Sequence, residues 1–202
     1  TTQCVYVGAG LAPGTYTYCV IVTDANGCAD TCCRDLTVRT QPVCEITGGS
    51  DAVCVGDSTE WCANPGMSSY LWSGPGGFSR TTQCVYVGAG LAPGTYTYQV
   101  IITNGSCKDT CWRDLTVKPQ PVCSITGGLD TVCVGFTTNW CATAGMSSYL
   151  WSGPNGFSST NQCVDVGAGL TPGTYTYQVI ITNGGCKDTC WRDLTVKPQP
   201  VC

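Results

Sequence analysis

Two stretches of this chain are nearly the same sequence. Glu45–Cys123 and Ser124–Cys202 are each 79 residues long, align without a gap and are identical at 65 of those 79 positions. Thr1–Cys44 matches the second half of the same unit, with one extra residue where Thr23-Asp24-Ala25-Asn26-Gly27-Cys28 stands in place of Thr103-Asn104-Gly105-Ser106-Cys107. A fixed period of this kind means one supersecondary unit used repeatedly. The chain is therefore expected to hold three pieces: 1–44, the C-terminal half of a repeat, and complete repeats at 45–123 and 124–202. A unit without its first strands cannot bury a core alone. The first piece is expected either to be cut from a longer tandem array or to be completed by a strand from another molecule, the array being favoured.

Within a repeat the pattern is that of short strands. Thr, Tyr and Val alternate between turn signals at Gly48-Gly49, Gly56-Asp57, Asn64-Pro65-Gly66, Gly74-Pro75-Gly76-Gly77, Pro93-Gly94 and Asn104-Gly105. Seven strands are predicted in the middle copy, at Val43–Thr47, Val53–Val55, Thr59–Cys62, Ser69–Ser73, Gln83–Val87, Thr95–Thr103 and Thr110–Val117. Seven short strands in about 80 residues predict an all-β, two-sheet sandwich. The connector Lys118-Pro119-Gln120-Pro121 is short and proline-rich, hence extended and stiff, which favours a rod of repeats over flexible beads.

Composition narrows the chemistry. Eighteen cysteines in 202 residues indicate a disulfide scaffold from an oxidising compartment. There is no histidine, which removes the commonest general base and zinc ligand, and no paired acids or cofactor motif suggest an enzyme. Gly8-Ala9-Gly10 is a turn and not a phosphate loop, since no Lys-Ser/Thr follows. Nine Lys and Arg against thirteen Asp and Glu exclude a phosphate-tracking surface, so no nucleic-acid partner is expected. No apolar run is long enough to span a bilayer. Asp51, Asp57, Asp109 and Asp114 are scattered, and Asp57 becomes Phe136 in the next copy, so a calcium loop is not expected. Asn104-Gly105-Ser106 is a glycosylation sequon that the next copy lacks, leaving glycans as candidate partners.

Tyr70-Leu71-Trp72-Ser73-Gly74-Pro75-Gly76-Gly77-Phe78, Val53-Cys54-Val55-Gly56, Pro121-Val122-Cys123-Ser124-Ile125-Thr126-Gly127 and Gly14-Thr15-Tyr16-Thr17-Tyr18 running to Asn26-Gly27-Cys28 follow one another in one frame. In that order they resemble the immunoglobulin-like, PKD-like tandem repeats of long secreted and cell-surface bacterial proteins, notably of the Bacteroidetes. The resemblance implies an extracellular Ig-like sandwich used in adhesins, stalks or surface filaments. The cysteine content departs from it, with more bridges per unit than the family leads one to expect.

The cysteines of the complete copies fall at 54, 62, 84, 107, 111 and 123, and again at 133, 141, 163, 186, 190 and 202. Cys19 and Cys33 replace Gln99 and Trp112 of the later copy together. Alternation puts both on the outer face of one hairpin, which predicts a Cys19–Cys33 bridge. Cys62 shares parity with Glu60 and Cys84 with Tyr86, positions that vary between copies and so face water. In a sandwich of this type the strands carrying them are neighbours, which predicts Cys62–Cys84 and Cys141–Cys163 on a sheet surface. Four cysteines per unit remain, and they allow three pairings. One scheme joins Cys107 to Cys111 and Cys54 to Cys123, with Cys28–Cys32, Cys186–Cys190 and Cys133–Cys202 as counterparts. The rival joins Cys44 to Cys111 and Cys54 to Cys107. The first is preferred because Cys54 and Cys107 should sit at opposite ends of a sandwich. Thiolate metal binding is not expected, because the other cysteines sit singly on strands.

Trp61, Trp72, Trp140 and Trp151 read as core residues, and Tyr16, Tyr96 and Tyr175 after Pro-Gly-Thr resemble a tyrosine corner. Arg113 lies on the inner parity of the last strand and is expected to close the sandwich edge. Trp112 and Trp191 have outward parity and are candidate interface residues. The sequence thus predicts an extracellular structural repeat, a disulfide-stabilised rod, surface filament or adhesin stalk that self-associates or joins neighbouring repeats. The alternative is a carbohydrate- or protein-binding module using the outward tryptophans.

Overall fold

The computed structural model describes residues 4–200. The first copy contributes a hairpin, β1 (Gly14–Thr23) and β2 (Ala29–Val38). The middle copy contributes β3 (Ile46–Thr47), β4 (Ala52–Cys54), β5 (Thr59–Ala63), β6 (Ser69–Ser73), β7 (Ser79–Arg80), β8 (Cys84–Val87), β9 (Gly94–Asn104) and β10 (Cys107–Lys118). The third repeats this set as β11 (Ile125–Thr126), β12 (Thr131–Cys133), β13 (Thr138–Ala142), β14 (Ser148–Ser152), β15 (Ser158–Ser159), β16 (Cys163–Val166), β17 (Gly173–Asn183) and β18 (Cys186–Lys197). Each complete copy therefore has one strand more than predicted. The addition, β7 or β15, is only two residues long and too short to show periodicity.

In the third copy the sheets are β11-β13-β16 and β12-β18-β17-β14-β15. The opening segment divides between them. Its first half, β11, pairs antiparallel with β13, and its second half, β12, crosses to pair parallel with β18. The middle copy has the same orders, β3-β5-β8 and β4-β10-β9-β6-β7. This three-plus-five sandwich, with its opening segment shared between both sheets, is an Ig-like fold. The hairpin β1–β2 is a two-stranded sheet by itself.

The core of the third copy follows from period-two alternation. Tyr177, Val179 and Ile181 of β17 and Leu194 and Val196 of β18 face inward, opposite Trp140, Ala142, Val164 and Val166 of the smaller sheet. Trp151 of β14 fills the centre, wholly buried, with its indole N–H donating to the Asn161 carbonyl at 2.9 Å. Tyr177 takes Trp140 and Phe157 edge-on, at centroid distances of 5.6 and 5.2 Å. Its ring lies so close to Gly153 that a Cβ there would meet it at 2.5 Å, so only glycine fits. Gly76 and its counterpart Asn155 both have left-handed backbone, φ 61° and 53°, which explains why this position varies between those two residue types. Tyr175 Oη donates to the Thr171 carbonyl at 3.0 Å, and Tyr16 and Tyr96 make the same bond to Ala12 and Ala92.

The described chain forms two compact units. One takes the chain up to Gly48 with Trp61–Val85 and Tyr98–Arg113; the other takes Gly49–Glu60, Tyr86–Thr97 and the chain from Asp114 on. Both draw on the middle copy.

Candidate functional site

Among the described residues the chemistry that recurs is sulfur. Three disulfides join residues directly opposite each other on neighbouring strands. Cys19 faces Cys33 in the β1–β2 register and Cys141 faces Cys163 in β13–β16, and both pairs are bonded with Cα atoms 4.0 Å apart. Cys62 and Cys84 are bonded in the same way, again at 4.0 Å.

The other bridges correct the preferred scheme. Cys107–Cys111, Cys28–Cys32 and Cys186–Cys190 do not form, and neither does Cys54–Cys123. Instead Cys44 bonds Cys111, and Cys123 bonds Cys190. Within a four-residue strand step such as Cys107–Cys111 the chain is extended, so its two ends are too far apart to meet. Cys54 bonds Cys186, a residue of the next copy, which neither scheme contained. Cys133 is unpaired, and its expected partner Cys202 lies outside the described residues. Cys4, Cys28, Cys32 and Cys107 are unpaired as well.

The Cys54–Cys186 bond follows from where the strands end. Cys54 closes β4 and is in register with Lys118, the last residue of β10, beside the connector. Cys186 opens β18 at the tip of the β17–β18 hairpin, whose two-residue turn Gly184-Gly185 has positive φ at both positions. Two further bonds fasten the same place. Lys118 Nζ donates to the Gly184 carbonyl at 2.8 Å and Gln120 Nε2 to the Lys187 carbonyl at 3.0 Å. Cys54 and the Cys107-type residue do lie at opposite ends of one repeat. In a tandem array those ends belong to neighbours, and counting the cysteines across the period instead of within it was the signal that could have found this pair.

The Cys44–Cys111 and Cys123–Cys190 bridges have a common seating. The Cys44 N–H donates to the Asp109 carboxylate, and the Cys123 N–H to Asp188, both at 2.7 Å. The aspartates thus serve to hold the incoming connector against the last strand. Each bridge joins the entry of a copy to its final strand and closes a loop of sequence separation 67.

Arg192 and Arg113 close the sandwich edge. Arg192 Nη1 donates to the Gly127 carbonyl at 2.7 Å, Nε pairs with Asp130 at 2.6 Å, and the guanidinium lies 4.6 Å from the Trp140 ring centroid. Arg113 donates to the Gly48 carbonyl and covers Trp61 in the same way. Asp130 is largely exposed, so the ring and the carbonyl hold most of the interaction. Arg192→Ala is expected to cost about 1–2 kcal/mol, and Asp130→Asn less than about 0.5 kcal/mol. Denaturant midpoints of the two variants check this, and equal losses would show the ion pair to be the main contribution.

Trp112 and Trp191 lie on the outer face of the larger sheet, 63% and 62% exposed, with Trp191 in register with Gln178. Burial pushes the Tyr177 phenol above its ordinary range, while the N–H that Gly167 donates to it pulls the other way. Among the described residues no group of three or more His, Cys, Asp or Glu side chains could hold a metal ion. No helix there is long and apolar enough to cross a membrane.

No family model matches the chain. No curated protein matches it either. Similar solved structures include the amphioxus IgVJ-C2 molecule, 19% identical over 71% of this chain and 99% of that one, TM-score 0.35. Fibronectin(III)-like modules of Clostridium thermocellum CbhA are 15% identical over 76% of this chain and 95% of theirs, TM-score 0.44. Murine CEACAM1b is 10% identical over 76% of this chain and all of its own, TM-score 0.38. The fold assignment rests on the strand order and register given above. The six disulfides among the described residues belong to an oxidising environment.

Proposed function

We propose that this chain is a segment of an extracellular structural array, a rod, surface filament or stalk in which each 79-residue repeat is one Ig-like domain. The observation that carries this reading is the route of the covalent bridges. Tension entering at Cys44 passes through sulfur to Cys111, along the end of β10 and the connector to Cys123, and through sulfur again to Cys190. The sandwich cores hang beside that route instead of lying in it. A second crosslink, Cys54–Cys186, spans the joint between the two complete copies. A domain of about 80 residues has a small core and limited stability of its own, and an oxidising exterior is where such reinforcement persists. Near-identical copies let one joint recur along an array.

Electron microscopy of native material is expected to show long thin fibres with an axial spacing tied to one or more repeats. Isolated globular particles would overturn the reading. A binding role has one supporting observation, the exposed indoles of Trp112 and Trp191 at matching places on successive copies. Glycan-array binding that is lost on Trp191→Ala would favour that adhesion role over a purely structural one.

A further inference from the structure

We infer that the β1–β2 hairpin is a docking face for one more first-half repeat segment, of the chemistry of residues 43–80, and that Cys4, Cys32 and Cys107 are its three anchoring thiols.

The first observation is apolar exposure on the face that the complete copies bury. Val5, Val20 and Val22 are 75%, 52% and 55% exposed, whereas their counterparts Val85, Val100 and Ile102 in the complete copy are 4%, 0% and 0% exposed. The difference is not in the residues but in what covers them. In the complete copies the tyrosine between these positions receives two rings from the preceding half-repeat, Trp61 and Phe78 on Tyr98 and Trp140 and Phe157 on Tyr177. Tyr18 holds the same place on β1 without them. Beside it Val5, Val20, Cys32 and Arg34 line an open groove of about 260 Å³.

The second observation is independent of the first. Of the five unpaired cysteines among the described residues, Cys4, Cys32 and Cys107 have bonded counterparts whose partners fall in a single half-repeat immediately before the hairpin, whereas Cys28 and Cys133 would take theirs from other repeats. Cys4 corresponds to Cys84, which bonds Cys62; Cys32 corresponds to Cys111, which bonds Cys44; Cys107 corresponds to Cys186, which bonds Cys54. The three missing partners, of the Cys44, Cys54 and Cys62 types, all lie in one stretch of 38 residues, the same stretch whose Trp61 and Phe78 would cover the bare face. Apolar face and thiols call for the same segment. A second copy of the hairpin could cover the valines but would offer none of these three cysteine types.

Each bond forms by thiol–disulfide exchange. A thiolate attacks a small-molecule disulfide such as oxidised glutathione, and the partner thiolate then displaces the mixed disulfide. Two thiols lose two protons and two electrons, and one glutathione disulfide becomes two thiols.

The test uses the full chain and a synthetic peptide of residues 43–80, mixed in a glutathione redox buffer and mapped without reduction. The expected product carries Cys4 bonded to the peptide's Cys62, Cys32 to its Cys44 and Cys107 to its Cys54. This is one of sixty ways to join the peptide's three thiols to the five unpaired cysteines of the described chain. Val20→Asp with Val22→Asp, at positions that are already exposed, is expected to lower capture more than tenfold. The complete copies are expected to keep their own bridges. A random spread over those pairings, attachment mainly at Cys28 or Cys133, capture unaffected by the double substitution, or chain-to-chain bonds through Cys4 and Cys32 that the peptide does not displace would each overturn the inference. None of these outcomes depends on whether the array bears load.

Discussion

Stretched from its ends under oxidising conditions, the chain is expected to release almost no length between Cys44 and Cys190 beyond the strand end and connector that join Cys111 to Cys123. Two loops of sequence separation 67 are held out of the load path by Cys44–Cys111 and Cys123–Cys190. At about 3.5 Å per extended residue, reduction should free roughly 470 Å of hidden contour. Single-molecule stretching with and without a reductant measures this directly. The crosslinks are also redundant. Cys54–Cys186, with sequence separation 132, spans the same stretch from the other side. Cys111→Ser alone should therefore change the oxidised extension little, and adding Cys54→Ser should release the first loop apart from the stretch of sequence separation 22 that Cys62–Cys84 still closes. Equal extension in the two redox states would remove the mechanical basis of the proposed function.

That redundancy also marks where reading the sequence stops. The side on which a strand residue lies is encoded locally, because alternation has period two and the copies differ at outward positions such as Glu60 and Asn139 or Tyr86 and Asp165. Core tryptophans, the tyrosine corners and the sandwich itself are legible for the same reason, since each follows from alternation and turn chemistry within about ten residues. The partner of Cys54 is not encoded within its own repeat. It depends on which end of one sandwich meets which end of the next, and that is set by the length of the connector and by the reach of the β17–β18 hairpin. The predicted strands Thr95–Thr103 and Thr110–Val117 stop short of the hairpin tip. In the structure β10 begins at Cys107 and β18 at Cys186, so the ladder continues to the residue that makes the bond. A few residues of extra strand at the tip therefore separate an intra-repeat pairing scheme from one that crosslinks repeats.

The two classes of tryptophan should separate sharply by substitution. Trp151 is wholly buried between the sheets and donates its indole N–H to Asn161. Trp151→Ala deletes one of the two largest side chains of this core, the other being Trp140, and leaves that carbonyl without its donor. The expected cost is about 3–5 kcal/mol, a large share of the roughly 5–15 kcal/mol that holds a domain folded. Trp191→Ala lies on the outer face of the same sheet, where truncation opens no cavity, and should change stability by less than about 0.5 kcal/mol. Guanidinium unfolding with the disulfides intact, read by amide exchange in the third copy, distinguishes the two. Because Cys123–Cys190 and Cys141–Cys163 survive the substitution, the Trp151 variant should lose exchange protection without coming apart covalently. Its β17 and β18 amides should exchange early while those of β9 and β10 keep their protection. A Trp151→Ala cost below about 1 kcal/mol would mean that sulfur, and not the packed core, maintains the domain. A cost above about 2 kcal/mol for Trp191→Ala would show that the outer face is itself covered in the folded chain.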